Sequence, residues 1–409
     1  MKLHKGNLFW PSNTEDISLE IHNNFETNKD VLVVGSGMSG ALSAYELSKA
    51  GYKVTMIEEN RIASGSSSAN TGLIQYMSDQ GVKKFAEQIG KDAAIRFYNQ
   101  SKEAVNDLIA INEELISDKE DDFKTENSLI LATEMKKASD VQGETKMQKE
   151  IGYDVKYLNY DQLADYNLKA YGGLLCGPDI NLNPYAFVLR LLKTAVDNYN
   201  LEIVEGVKFL KCEKINDENI VSLEIGGQEI NKSYKKIVIA TGYNPPDQFK
   251  KNLKNVEIYK TYVSVTNKVE DKGYEDLLVW EVKDAYTYFK KTFDNRLMIG
   301  GFDEKSDTIK DKDVGKRDKD LEKGANSMLV EKYNIETNYS YTALFGISKD
   351  NLPYMGIDPE NEDIFVICGV GGNGTVYSKI GATMATKWIK GESLEEYETY
   401  RLGRWKWMK

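Results

Sequence analysis

Gly35, Gly37 and Gly40 make a G-x-G-x-x-G spacing near the start of the chain, and Gly371, Gly372 and Gly374 crowd a second stretch near its end. Glycines spaced this way between a strand and a helix let the backbone close on phosphate oxygens and offer them unpaired N–H groups. Groups for acid–base work are scarce. His4 and His22 are the 2 histidines of the 409 residues, and both precede Gly35. A serine–histidine triad or a histidine metal site in the body of the chain is therefore excluded, and any reaction runs without histidine unless the N-terminal segment folds over the site. Cys176, Cys212 and Cys368 stand far apart with no C-x-x-C spacing. Neither a disulfide framework nor a zinc site follows, and a reducing cytoplasm fits best.

The first glycine cluster has the flanking elements that a phosphate cradle requires. Val31, Leu32, Val33 and Val34 read as a strand buried on both faces, a helix runs from the glycines to about Lys49, and a second strand over residues 53–57 leads into Glu58. Gly35 permits the tight turn, Gly37 a close approach to a pyrophosphate, and Gly40 close packing of helix on strand. Glu58 can accept ribose hydroxyls and would repel a 2′-phosphate, which disfavours NADP. NAD and FAD stay open on these residues. The stretch "RIASGSSSANTGLI" that follows is either an ordinary surface loop or a polar wall for more ligand than an adenosine.

In "IFVICGVGGNGTVYSKIGA" an apolar strand again meets glycines and a helix, with Ile380, Met384 and Trp388 at helical spacing. No acid-ended strand follows; the chain offers "GESLEEYETYRLGRWKWMK" instead. The second loop is expected to aim a helix start at the far end of the first ligand. A flavin fits, because a reduced isoalloxazine gains negative charge that N–H groups stabilise. A glycine turn packed on the first sheet is the alternative.

A formal charge of −11 opposes nucleic acid as a partner. No run approaches the roughly 18 apolar residues of a membrane span, and none reads as a signal peptide.

Taken in order, the N-terminal fingerprint, "SGSSSANTG", "GGLLCGPDINLNPYAF", "IVIATGYNP", "AYTYFKKTFDNRLMIGGFDE", "ALFGISKDNLPYMG" and "CGVGGNGTVYS" resemble the FAD-dependent oxidoreductases of the D-amino acid oxidase superfamily, in their glycine oxidase and sarcosine oxidase branch. The resemblance implies a Rossmann-like α/β FAD-binding domain of glutathione reductase type, with an α+β substrate domain on an antiparallel sheet. It implies one extended FAD; with no histidine near the matching loop, Cys176 and Cys212 outside the segments that would face the flavin and Cys368 ending an apolar strand, that FAD is expected to be non-covalent. The backbone of Met38 and Ser39 would meet the pyrophosphate, Glu58 the ribose and Val207 the adenine. Ser66, Ser67, Thr71 and Gly72 would lie along the ribityl chain and flavin, and Gly371, Gly372, Asn373, Gly374 and Thr375 would cover the pyrimidine edge. Glu59, Leu73 and Gly242 belong to the same cofactor set, with Gly35, Gly37 and Gly40.

The same resemblance divides the chain into an N-terminal strap (residues 1–27), FAD-binding segments (28–88, 172–246 and 341–409, the last with a C-terminal tail) and substrate-domain segments (89–171 and 247–340). The first substrate segment contains an amphipathic helix with Ala94, Phe97, Tyr98, Ser101, Val105, Leu108 and Leu115 on one face. The run "DEKSDTIKDKDVGKRDKDLEKG" reads as exposed loop and helix. "NLFWPS" reads as a packed strap, or as a lid carrying His4 or Trp10 to the site.

The activity implied is oxidation of a C–N bond in a small amine or amino acid: hydride passes to flavin N5, the imine hydrolyses, and oxygen or another acceptor takes the electrons. No strong protein base is needed, which suits the histidine count. An amine dehydrogenase within a complex and a non-catalytic flavoprotein are the alternatives. The family clamps a substrate carboxylate with arginines, but the matching positions here are Phe345 and Gly372. Tyr286 matches a substrate-site tyrosine, while the family arginine four residues later is Lys290, expected to be an exposed cation. Tyr286, Phe345 and Tyr377 are the residues expected to line the substrate space.

Overall fold

The computed structural model describes residues 3–22, 25, 30–78, 80–115, 122–253, 256–270 and 277–404. The expected boundary at 27/28 and the end of the expected tail lie outside them. A six-stranded sheet is built in the order Tyr354–Asp358, Asn361–Cys368, Lys236–Gly242, Val31–Val34, Val54–Glu58, Glu202–Glu205. Its strands are parallel except where Tyr354–Asp358 meets Asn361–Cys368. Val31–Val34 is buried throughout, as a strand covered on both faces must be. The chain builds outward on one side of this strand and later on the other. The crevice at the carboxyl ends of Val31–Val34 and Lys236–Gly242 is therefore the switch point where open α/β sheets take ligands.

Three helices cover one face of this sheet. Met38–Lys49 packs against Pro184–Tyr199 and Gly374–Ile389. Pro184–Tyr199 begins where Asn183 accepts the Ala186 N–H with Pro184 in the first turn, a start readable in "NPYAF". Lys91–Glu114 buries Ala94, Phe97, Tyr98, Ser101, Val105 and Leu108, the face its periodicity predicts.

The larger sheet is ten-stranded. It is antiparallel, as expected, apart from one parallel pair, Leu277–Glu281 with Phe123–Leu131. Its membership cuts across the division drawn from sequence. Leu73–Ile74, Gly173–Leu182 and Thr337–Ser348 all belong to it. So does His4–Gly6, an edge strand that pairs with Tyr341 to Ala343. Phe9 and Trp10 are buried beside Ala69, Val263 and Tyr341, and the Trp10 indole donates to the Asn70 carbonyl at 2.8 Å. The charged run over 303–324 is not simply an exposed excursion. Asp313 is buried and holds the Lys260 ammonium at 3.0 Å, and Leu321 is fully buried.

Candidate active site

A single cavity of about 950 Å³ runs from the switch point into the larger sheet. Val34, Gly35, Gly37, Met38, Ser39, Glu58, Glu59, Val207 and Gly242 line one part of it. Ser66, Ser67, Thr71, Leu73, Gly371, Gly372, Asn373, Gly374 and Thr375 line another. The two glycine clusters therefore face one space, at the starts of two long helices. Met38–Lys49 and Gly374–Ile389 both begin at a residue whose own side chain makes no cap, so, apart from the Met38 N–H that Ser67 Oγ takes, their first N–H groups and positive dipole ends face the cavity.

Each glycine has a distinct reason to be there. A Cβ on Gly40 would lie 1.8 Å from the Gly35 carbonyl oxygen, which explains the missing side chain by helix–strand contact; Gly40 itself is not part of the lining. Gly371, at φ +65, would point a Cβ into open space. Its positive φ, rather than crowding, selects glycine. Gly72 departs from its expected placement beside a cofactor: it is packed against the Leu182 carbonyl and the Lys290 ammonium, away from the lining.

The Glu58 carboxylate accepts from the Ser36 N–H and hydroxyl (2.9 and 2.8 Å) and from the Asn60 N–H (2.8 Å). A carboxylate has about four acceptor sites, so capacity remains for a ribose hydroxyl. Ser67 Oγ accepts the Met38 N–H at 3.0 Å, and Asn373 donates to the Gln75 carbonyl at 2.6 Å, fixing the second loop against residues 75–77.

Beyond the loops lies a chamber on the larger sheet, walled by Thr261, Val263, Trp280, Tyr286, Tyr288, Asp303 and Phe345. The rings of Tyr286 and Tyr288 stack at 6.1 Å, and the Tyr286 hydroxyl donates to Asp303 Oδ2 at 2.6 Å. Burial pushes the Asp303 carboxyl above its ordinary value, against the hydroxyls of Thr261 and Tyr286. Asp303 Oδ1 and Trp280 Nε1 are buried and make no hydrogen bond among the described residues.

Two expectations about this region are corrected. Tyr377 does not reach the cavity: it is buried in the core with its ring 5.7 Å from Phe97. It projects from the opposite side of its helix to Thr375 and Ser378, which do line the cavity. Lys290 is fully buried instead of exposed, and donates to the Gly72 carbonyl (3.0 Å), Asn181 Oδ1 (2.7 Å) and the Leu182 carbonyl (2.9 Å). Burial pushes its ammonium down to about 7, against the nearby Glu126 carboxylate. Lys290 thus anchors the loop containing Thr71 to the strand Gly173–Leu182.

Thr261, Trp280, Tyr288 and Asp303 line the cavity without having been singled out in the sequence, and so does His4, which the sequence offered only in the lid alternative for the N-terminal segment. His4 arrives through the edge strand, its Nε2 3.0 Å from the Ser64 carbonyl oxygen. The N-terminal segment packs on the body through Phe9 and Trp10 and contributes Leu3 and His4 to the wall. Asp303 had a signal in "GGFDE", because paired glycines within a strand pattern mark a bulge.

Behind the chamber, Asp179 accepts from the Tyr76 N–H at 2.9 Å and from the Ser128 hydroxyl, which also accepts from Gln75. Burial pushes the Asp179 carboxyl up to about 7, opposed by Ser128, Tyr76 and Lys102. The folded state therefore binds more protons than the unfolded chain between about pH 4 and 7, and stability falls as pH rises through that window. Asp179→Asn removes the fall. Its stability relative to the wild type should rise by up to about 4 kcal/mol from pH 4 to pH 8, measured by urea denaturation at a series of pH values. A gap independent of pH would show that Asp179 stays ionised throughout.

No described helix is long and apolar enough to cross a membrane. The chain is 21% identical over 405 residues to the Haemophilus influenzae protein named Probable oxidoreductase OrdL, covering 95% of this chain and 89% of that protein. Among solved structures, glycine oxidase from Geobacillus kaustophilus superposes with a TM-score of 0.77 at 19% identity, covering 92% of this chain and 98% of that one. L-proline dehydrogenase from P. horikoshii gives a TM-score of 0.73 at 19% identity, with the same coverages of 92% and 98%. At these identities the likeness is one of fold. The DAO family, described as FAD dependent oxidoreductase, matches residues 30–388, and the chain belongs to that family of FAD-dependent oxidoreductases.

Proposed function

We propose that the protein oxidises a C–N bond of a small amine or amino acid with a non-covalent FAD. The observation that carries this reading is the continuity of one cavity from the two uncapped helix starts to the chamber of Trp280, Tyr286, Tyr288 and Asp303. Its lining suits FAD in an extended pose: Gly37, Met38 and Ser39 for the diphosphate, Glu58 for a ribose, Val207 for the adenine, and Gly371 to Thr375 for the flavin's pyrimidine edge. When bound, FAD supplies the two-electron acceptor for a hydride leaving the substrate carbon.

The chain's own residues do the rest. The stacked Tyr286 and Tyr288 and the Phe345 ring offer apolar walls that exclude water and hold a small carbon skeleton. The matched neighbours named as a glycine oxidase and an L-proline dehydrogenase are consistent with an amino-acid or amine substrate here. Anaerobic mixing with a panel of primary and secondary amines and amino acids should bleach the flavin absorbance with at least one class. A flavin that dithionite reduces and no member of the panel does would refute the proposal. Acid precipitation should release all of the yellow colour into the supernatant; colour retained in the pellet would refute non-covalent binding.

A further inference from the structure

Asp303 owes its position to an irregularity in the larger sheet. Along Arg296–Lys305, Gly301 lies opposite Tyr262 and Glu304 opposite Lys260, so that Phe302 and Asp303 both stand opposite Thr261. This is a β-bulge, and Phe302 in it takes φ +57, a conformation that a bulky side chain rarely adopts. Bulges re-aim side chains, and strain of this kind concentrates at functional sites. Here Glu304 faces the other side of the sheet, where it meets the Lys260 ammonium at 2.8 Å, while Asp303 lines the cavity.

The chamber's charge is consequently one-sided. Asp303 Oδ2 is held by Tyr286, the nearby Thr261 hydroxyl also favours the charged carboxylate, and Oδ1 is buried with no hydrogen bond among the described residues. A buried, unpaired carboxylate oxygen is costly unless a ligand supplies the donor. No arginine lines the cavity among the described residues. The two lysines that do are engaged by carboxylates: Lys208 lies 3.9 Å from Glu59, and Lys250 lies 2.6 Å from Asp247. Trp280 Nε1 is an unpaired donor, but one neutral N–H does not offset a carboxylate placed beside another carboxylate.

We infer that the substrate is an amine without a neighbouring carboxylate, whose protonated nitrogen donates to Asp303 Oδ1 in the chamber of Trp280, Tyr286 and Tyr288. This rests on the C–N oxidation proposed above and narrows its substrate class. Asp303 has a second consequence for the bound amine. An ammonium N–H proton passes to Oδ1: the N–H bond breaks, an O–H bond forms, and the nitrogen regains its lone pair. Tyr286 keeps its hydrogen bond to Oδ2 and holds the carboxyl in place.

The test uses FAD-loaded protein under anaerobic conditions. N-methylpropylamine should bleach the flavin with at least about 100-fold greater efficiency than sarcosine, its carboxylate-bearing counterpart. Dissociation constants for trimethylammonium and for propionate, read from perturbation of the visible flavin spectrum, should favour the cation. Asp303→Asn should raise the trimethylammonium constant at least about tenfold, and Asp303→Glu should recover most of that loss. Sarcosine outperforming the amine, propionate binding more tightly than trimethylammonium, or an unchanged cation constant in Asp303→Asn with FAD retained would each overturn the inference. Where Asp303→Asn loses FAD, the wild-type comparison of cation with anion decides. If neither substrate class bleaches the flavin, the oxidation reading fails, while the cation constants still decide whether Asp303 is an ammonium site.

Discussion

Gly40→Ala should yield a colourless, destabilised protein. The added Cβ would lie 1.8 Å from the Gly35 carbonyl oxygen and 2.9 Å from its carbon, and both contacts are with backbone. No side-chain rotation relieves them, so the helix Met38–Lys49 must withdraw from the strand Val31–Val34 by about an ångström or more, at the 1–3 kcal/mol typical of overpacking. The displaced element is the one whose first N–H groups face the cavity. FAD affinity should fall at least about 100-fold, because amides aimed at a diphosphate lose both distance and direction together. Gly37→Ala separates the two effects. Its Cβ would meet Ser67 Oγ at 3.4 Å, an ordinary contact, so the apo protein should keep its stability while FAD binding weakens. Thermal denaturation with and without added FAD measures both quantities. A yellow Gly40→Ala protein with wild-type stability would refute the packing argument.

Lys379→Met should cost about 3 kcal/mol of folding stability and loosen the cofactor. Lys379 lies in Gly374–Ile389, is 4% exposed, and its ammonium meets Glu46 Oε1 at 2.9 Å and Asp107 Oδ2 at 2.8 Å. Those carboxylates come from Met38–Lys49 and Lys91–Glu114, so one cation ties three helices together. The paired carboxylates hold its pKa above the ordinary lysine value against the effect of burial. Removing it leaves Glu46 and Asp107 facing each other without a counter-charge, although Asp107 is open enough to water to reduce the penalty. Lys379→Arg should recover part of the loss, since the charge remains while the fork geometry differs. The helix starts of Met38–Lys49 and Gly374–Ile389 flank the cavity together, and Ser39 Oγ lies 2.7 Å from Ser378 Oγ between them. FAD should therefore dissociate faster from Lys379→Met. Urea denaturation and fluorescence on FAD release measure the two effects; a loss of stability below about 1 kcal/mol would place this cluster among ordinary surface ion pairs.

The part of the cavity lined by the two glycine loops was legible in the sequence because its determinants are local. Gly35, Gly37, Gly40 and Glu58 lie within one strand–helix–strand unit, where spacing along the chain translates directly into spacing in space. The second loop was legible for the same reason, as a strand, a glycine turn and a helix. The substrate chamber was not. Its walls come from strands far apart in sequence, Val256–Lys268, Leu277–Glu281, Thr287–Lys291, Arg296–Lys305 and Thr337–Ser348, brought together by sheet pairing. A one-residue slip or bulge exchanges one face of a strand for the other; paired glycines such as Gly300 and Gly301 mark a bulge but do not say which of the residues after them faces the chamber.

The amino-acid sequence by itself determined the family, the two helix starts, the acid-ended second strand and the scarcity of histidine. Glycine backbone freedom and strand hydrophobicity act over a few residues and need no partner to be read. Tertiary structure alone decided that Lys290 is buried under the Gly72 loop, that Tyr377 belongs to the core, that His4 reaches the cavity through an edge strand, and that Asp303 faces the chamber while Glu304 does not. In each case the outcome depends on which distant strand or helix supplies the opposite wall, and that is set by the register and packing of the folded chain.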